Sequence, residues 1–425
     1  MADPLQTFAS GYPFALDDYQ VEACTHLANG HGVLVAAPTG AGKTVVGEFA
    51  VFLALKTGRK CFYTTPIKAL SNQKYHDLCE RHGEDAVGLL TGDTSINGDA
   101  QVVVMTTEVL RNMIYAGSST LANLGFVVMD EVHYLADRFR GAVWEEVIIS
   151  LADSVQLVAL SATVSNAEEF GDWLSEVRGG VEVVVTERRP VPLYQHVLAG
   201  RRLLELFDGP DVNPELVRLA KEESRSQRDD SRRPRGRSGN GRRGGYGSGR
   251  YGGGAASERQ EASRRLVPRR DAMVERLAAE NLLPAIVFIF SRQGCDTAVG
   301  QLLNSGVRLT SSAERARLRE IAQRHTAGLS QGDLAALEFD RFLAAFTDGI
   351  AAHHAGLLPA FKEAVEEGFS EGLVKVAFAT ETLALGINMP ARSVVLERLV
   401  KYNAETHADV TAGEFTQLTG LAGRR

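Results

Sequence analysis

A glycine-rich turn, Ala37-Pro38-Thr39-Gly40-Ala41-Gly42-Lys43-Thr44, follows the apolar run Val33–Ala36 and opens the amphipathic stretch Val45–Leu55. Between a strand and a helix, such a loop lets backbone N–H groups converge on phosphate oxygens at the positive end of the helix. Lys43 would then reach the terminal phosphates, and Thr44 would ligate Mg²⁺. Further along, Asp130-Glu131-Val132-His133 ends a second apolar run, Leu124–Met129. One carboxylate at such a strand end can hold the metal's water shell, and a second can orient the water that attacks phosphorus. Acidic residues at strand ends mean little alone; paired with the glycine-rich turn they point to phosphoryl transfer. His133 is either a packed histidine or a coupling hydrogen bond to the next motif, Ser161-Ala162-Thr163, which ends Val155–Leu160.

Chemistry spread over so many strand ends needs a scaffold that gathers those ends at one edge. The apolar runs at 32–38, 60–66, 100–107, 124–131 and 155–163 are each bounded by turn or polar residues, with amphipathic stretches between them. That rhythm predicts an α/β fold with a doubly wound parallel sheet, whose strands are buried on both faces and whose working residues sit at the carboxyl ends. A second block resumes with strands in 282–292, 374–382 and 391–399 and a helical region over 313–346. Residues 1–190 and 191–425 are therefore read as two tandem domains. Inside the second, 224–270 is rich in Arg, Gly and Ser and nearly free of aliphatic residues. It is read as a disordered insertion, either a flexible spacer or an arm whose arginines, with Tyr246 and Tyr251, add weak nucleic-acid affinity.

The net charge of −7 restricts any nucleic-acid surface to a local patch. None of the four cysteines, Cys24, Cys61, Cys79 and Cys295, is spaced as C-x-x-C, so neither a disulfide framework nor a zinc site is expected. The opening MADPLQTFAS lacks the basic start and apolar core of a signal peptide, and no apolar run approaches membrane-spanning length. A cytoplasmic monomer without membrane attachment is expected.

APTGAGKT, DEVH and SAT, in this order and spacing, resemble the first RecA-like domain of a superfamily 2 helicase. DEVH followed by RGAVWEE (140–146) is similar to the superkiller-like, DEVH-box branch of RNA helicases, here in a bacterial, actinobacterial form. The resemblance implies two RecA-like domains joined near RRPVPL (188–193), with ATP and Mg²⁺ as cofactors. It assigns adenine recognition to Phe14 and Gln20, and the phosphate cradle to Pro38, Thr39, Gly40, Ala41, Gly42, Lys43 and Thr44. Gly386 and Asn388 of AFATETLALGINMP would also face ATP. Nucleic-acid contacts fall to Pro66 and Lys68 in PIKALSNQK, Gly92, Thr106 and Arg111, and in the second domain to Arg292, His354 and Thr380. For the histidine pair of HHAGL, a backbone contact or a structural role outweighs metal binding. Lys43, Asp130, Glu131 and Arg424 are the expected catalytic residues, Thr44 and Asp130 the Mg²⁺ ligands, and His133, Ser161, Thr163 and Gln417 the coupling residues.

The chain ends in QLTGLAGRR. The family pattern is Gln-x-x-Gly-Arg-x-Gly-Arg, whose arginines reach the triphosphate; Gln417, Gly420, Gly423 and Arg424 match, and Leu421 stands in the first arginine's place. Leucine has no donors to replace a guanidinium. The leading expectation is an ATP-dependent helicase moving 3′ to 5′ on single-stranded or tailed-duplex RNA, in RNA processing or decay beside an exoribonuclease partner. The alternatives are a DNA helicase in repair and an ATP- and nucleic-acid-binding module with weak hydrolysis. The last rests on Leu421 and on the absence of the winged-helix and ratchet domains, with the sequence expected to be truncated at this motif.

Overall fold

The computed structural model describes residues 3–136, 141–162, 167–231, 266–384, 389–402 and 407–423. In the first domain, eight strands form one sheet: β1 (Gly32–Ala36), β2 (Lys60–Thr65), β3 (Val87–Leu90), β4 (Ser95–Ile96), β5 (Val102–Thr106), β6 (Leu124–Met129), β7 (Gln156–Ser161) and β8 (Val181–Val185). Their order is β4-β3-β5-β2-β6-β7-β1-β8, and every pairing is parallel except that of the short β4 with β3. All residues of β1 and β6 are buried, as continuous apolar runs require of strands covered on both sides.

One face packs on α1 (Pro4–Ala9), α2 (Asp18–Ala28), α3 (Thr44–Thr57) and α4 (Lys68–His82), through Phe8, Leu27, Phe49 and Leu78. The other packs on α5 (Thr107–Tyr115), α6 (Gly141–Ser150) and α7 (Ala167–Arg178), through Leu110, Trp144, Ile148 and Leu174. Helix α3 is apolar on almost every side because it lies between the sheet and its neighbouring helices; it ends at Gly58, whose left-handed φ of +71° closes the last turn.

Two hairpins follow, β9 (His196–Ala199) with β10 (Arg202–Glu205) and β11 (Phe207–Asp208) with β12 (Asp211–Val212), and then α8 (Pro214–Ser231). Helix α8 continues eight residues into the segment read as an insertion starting at 224. KEESRSQRDDS contains no Gly or Pro to stop a helix already begun at Pro214. Tyr246 and Tyr251 lie outside the described residues.

The second domain has a four-stranded parallel sheet of β13 (Ala285–Phe288), β14 (Ile350–His353), β15 (Val376–Ala379) and β16 (Ser393–Leu396), in the order β14-β15-β13-β16. The region expected to be helical over 313–346 is three helices, Ser312–His325, Gln331–Ala336 and Phe339–Thr347. Small antiparallel strands β17 (Val400–Tyr402) and β18 (His407–Asp409) precede the final helix, Ala412–Thr419. Among the described residues, no helix is long and apolar enough to cross a membrane.

A surface cap gives this domain a measurable pH dependence. Glu314 closes a capping box with Ser311 and accepts a hydrogen bond from Lys375 Nζ at 2.7 Å, and these donors hold its carboxyl at about 2 against an ordinary 4.5. A depressed folded-state value contributes stability above the unfolded value and loses it as pH falls through the folded one. Glu314→Gln should therefore cost about 1 kcal/mol at neutral pH, after allowance for solvent screening. In urea titrations the gap to the parent should narrow from pH 4.5 towards 2; a gap independent of pH would refute the assignment.

Candidate active site

The phosphate-loop residues leave β1 and enter α3 through two glycines, Gly40 and Gly42, at φ of +81° and +88°. L side chains rarely adopt this conformation, which is why glycine is needed at both. Lys43 is buried, and its Nζ donates to the carbonyls of Ala37 at 2.8 Å and Pro38 at 3.2 Å, so the ammonium stands inside the loop. Thr44 is the first residue of α3. Ala37 N–H donates to the Ser161 carbonyl at 3.1 Å, which ties the loop to the end of β7.

Two side chains from α2 brace the loop from behind. Tyr19 Oη donates to the Ala41 carbonyl at 2.6 Å. The buried Gln20 donates from Nε2 to the Gly42 carbonyl at 2.9 Å, and its Oε1 accepts the Asp17 N–H at 2.9 Å. Gln20 thus holds the loop's shape, a position the sequence reading, which gave it an adenine edge, did not include. Tyr19 was missed altogether; its one signal was a tyrosine beside Gln20. Phe14 is 54% exposed, its ring 5.2 Å from that of Tyr12.

Asp130 follows β6 directly and is fixed by three hydrogen bonds. Its N–H donates to the Thr64 carbonyl at 2.9 Å, its Oδ1 accepts the Glu131 N–H at 3.0 Å, and its Oδ2 accepts the Tyr63 hydroxyl at 2.9 Å. Burial and then the neighbouring Glu131 charge push the Asp130 carboxyl upwards, against the pull of Lys74, Tyr63 and Lys43. Glu131 has a φ of +57°, a strained conformation for a side-chain-bearing residue that turns the chain sharply after the strand. Its Oε2 lies 3.4 Å from His133 Nδ1 and accepts no hydrogen bond from the described residues. Burial lowers the His133 pKa, which favours a neutral ring; Nδ1 then accepts the Ala162 N–H at 3.5 Å. His133 therefore touches both the acidic motif and the Ser161-Ala162 strand end.

The first-domain residues expected to meet nucleic acid follow the same sheet edge: Pro66 after β2, Gly92 after β3, and Thr106 at the end of β5. Gly92 is exposed, with nothing within 4 Å of where a Cβ would stand. Lys68 pairs with Asp93 at 2.7 Å and joins two of these elements. Arg111 points towards Glu146 of α6 at 3.7 Å.

In the second domain, Arg292 is exposed at the head of the helix Arg292–Asn304, beside Gly356. His354 is buried; its Nε2 pairs with Asp296 Oδ1 at 3.0 Å and its Nδ1 accepts the Gly356 N–H at 3.2 Å. Its ring works inside the domain, and the exposed part of HHAGL is Ala355-Gly356. Thr380 follows β15 and donates its N–H to the His353 carbonyl at 3.3 Å. Gln417 lies on the final helix. Thr163, Gly386, Asn388 and Arg424 lie outside the described residues.

The two domains meet at the phosphate loop. A Cβ on Gly420 would stand 2.9 Å from Thr39 Cβ, so only glycine lets the end of the final helix approach so closely. The next residue, Leu421, is 1% exposed and packed in an apolar cluster with Met389, Ala391 and Leu418.

The DEAD/DEAH box helicase family model matches residues 17–170. The chain is 58% identical to "Probable helicase HelY" of Mycobacterium tuberculosis (strain ATCC 25618 / H37Rv), over 99% of this chain and 45% of that protein. It is 42% identical to "DExH-box ATP-dependent RNA helicase DExH15 chloroplastic" of Arabidopsis thaliana, over 97% of this chain and 36% of that one. It is 38% identical to "Antiviral helicase SKI2" of Saccharomyces cerevisiae (strain ATCC 204508 / S288c), over 98% and 35%. The chain thus spans less than half the length of these relatives. With a phosphate loop approached by the second domain's final helix and these sequence matches, the chain belongs to the DEAD/DEAH box helicases of superfamily 2, in the superkiller-like branch.

Proposed function

We propose that this chain is the motor core of an ATP-dependent helicase that moves 3′ to 5′ along single-stranded RNA, in the cytoplasm, and acts beside an exoribonuclease. The observation that carries the motor reading is the contact of Gly420 with Thr39. It joins the second domain's final helix to the first domain's phosphate loop, so a nucleotide bound at that loop is sensed by both domains and can open or close the cleft. The RNA assignment leans on the Arabidopsis relative, an RNA helicase by name.

In this reading, Phe14 stacks on adenine, Gln20 keeps the loop in shape, and loop N–H groups with Lys43 bind the phosphates. Thr44 and Asp130 hold Mg²⁺, and the donor set fits it: hard oxygens, with an Asp130 carboxyl whose raised pKa a nearby cation would relieve. When bound, Mg²⁺ neutralises charge on the phosphate oxygens. Glu131 orients the attacking water and takes its proton, while His133 relays the state of Glu131 to Ala162. Arg424 is assigned the charge-stabilising role at the triphosphate that the family pattern gives it. Pro66, Lys68, Gly92, Thr106, Arg292 and Thr380 grip the strand backbone without base readout.

A second reading, binding with weak hydrolysis, draws on the buried Leu421, which carries no charge to the cleft. The test is ATP turnover with and without equal lengths of single-stranded RNA or DNA at fixed salt. Stronger stimulation by RNA supports the proposal; stronger stimulation by DNA overturns the RNA assignment, and none by either overturns the motor reading.

A further inference from the structure

We propose that Tyr63 is a positioning residue for Asp130, and that through it strand β2 links the strand-binding segment to the Mg²⁺-holding carboxylate. The inference rests on the reading of Asp130 as that carboxylate. Tyr63 is fully buried on β2, opposite Val128 of β6, yet its hydroxyl is not idle: it donates to Asp130 Oδ2 at 2.9 Å. With the Glu131 N–H on Oδ1, each carboxylate oxygen has one protein donor, so the plane of the group is set before any ligand arrives.

The surroundings are shaped to admit this phenol. Gly47 lies inside α3, one turn after Thr44, at a position where glycine costs helix stability by roughly 1 kcal/mol relative to alanine. A Cβ there would come within 3.0 Å of Tyr63 Cε2 and 3.3 Å of its hydroxyl. Gly47 thus leaves the space the ring occupies, between the phosphate-loop helix and the acidic motif. Lys74 Nζ of α4 stands 5.7 Å from the ring centroid.

Position along the chain supplies the link. Asp130 is tied to β2 twice, by its N–H to the Thr64 carbonyl and by its side chain to Tyr63. Pro66, the start of the strand-binding segment, comes two residues after Thr64, and Lys74 belongs to the same segment. A shift of that segment when a strand binds is therefore carried by β2 to the carboxylate without an intervening mobile loop.

Tyr63→Phe keeps the ring and removes only the donor. The half-saturating Mg²⁺ concentration for binding a fluorescent ATP analogue should rise by about tenfold. Binding in EDTA and the melting temperature should stay close to those of the parent. Gly47→Ala, which favours the helix but crowds the phenol, should raise the same Mg²⁺ requirement. In an Asp130→Ala background, Tyr63→Phe should have no further effect. An unchanged Mg²⁺ requirement in Tyr63→Phe, or an equal shift in the Asp130→Ala background, would overturn the proposal while leaving the site reading intact. Loss of Mg²⁺ dependence in the unmodified protein would overturn both.

Discussion

Glu131→Gln is expected to lower ATP turnover by roughly 10² to 10⁴, the usual range for loss of a general base, with ATP affinity nearly unchanged. The reason is local. Glu131 sits at the tip of a turn with φ of +57°, and one carboxylate oxygen has no hydrogen-bond donor among the described residues. A buried acceptor held in a strained conformation is ready to take a proton from water, whereas glutamine, of the same shape, cannot. The check is phosphate release at saturating ATP and single-stranded RNA, beside equilibrium binding of a fluorescent ATP analogue. A fall in turnover below about tenfold would remove Glu131 from the base role.

Leu421→Arg is expected to act in two directions at once. Turnover should rise at least about tenfold if a guanidinium regains access to the triphosphate. Residue 421 follows Gly420, which touches Thr39, so an arginine stem starting there needs little extra reach. Stability should fall by about 2 kcal/mol or more, because Leu421 fills a packed cluster with Met389, Ala391 and Leu418. An arginine can recover part of that loss by laying its methylenes along the cluster while its head remains in the cleft. ATPase rates and urea midpoints on the same preparation separate the two effects. An unchanged rate with lowered stability would show that the leucine serves packing alone.

The parts of the molecule legible in sequence were those with a strong local signature. Buried parallel strands such as β1 and β6 write themselves as apolar runs, and the phosphate loop carries its glycines in fixed order. The contacts of Gln20 and His354 were not legible, because they depend on which partner lies opposite: the Gly42 carbonyl for one, Asp296 for the other. Strand β14 went unread because Ile-Ala-Ala-His is short and poor in β-branched residues, and its place between β15 and the helices decides its conformation. Tyr63 stayed hidden for a related reason: a tyrosine in an apolar strand is indistinguishable from core until the carboxylate beneath its hydroxyl is placed.

The Lys68–Asp93 pair, 2.7 Å long and largely open to solvent, bears on how salt would act on strand binding. A lysine that meets a phosphate as a free cation displaces a condensed counterion from the nucleic acid and adds to the salt dependence of affinity. Lys68 already has a carboxylate, so a strand phosphate only exchanges one anion for another and leaves Asp93 to recruit a cation from solution. Its share of counterion release is largely cancelled. Binding at this edge of the sheet should then depend on ionic strength more weakly than the number of basic residues touching the strand would suggest, and in the proposed motor, which would release each phosphate in turn, Asp93 would act as a built-in competitor for the grip.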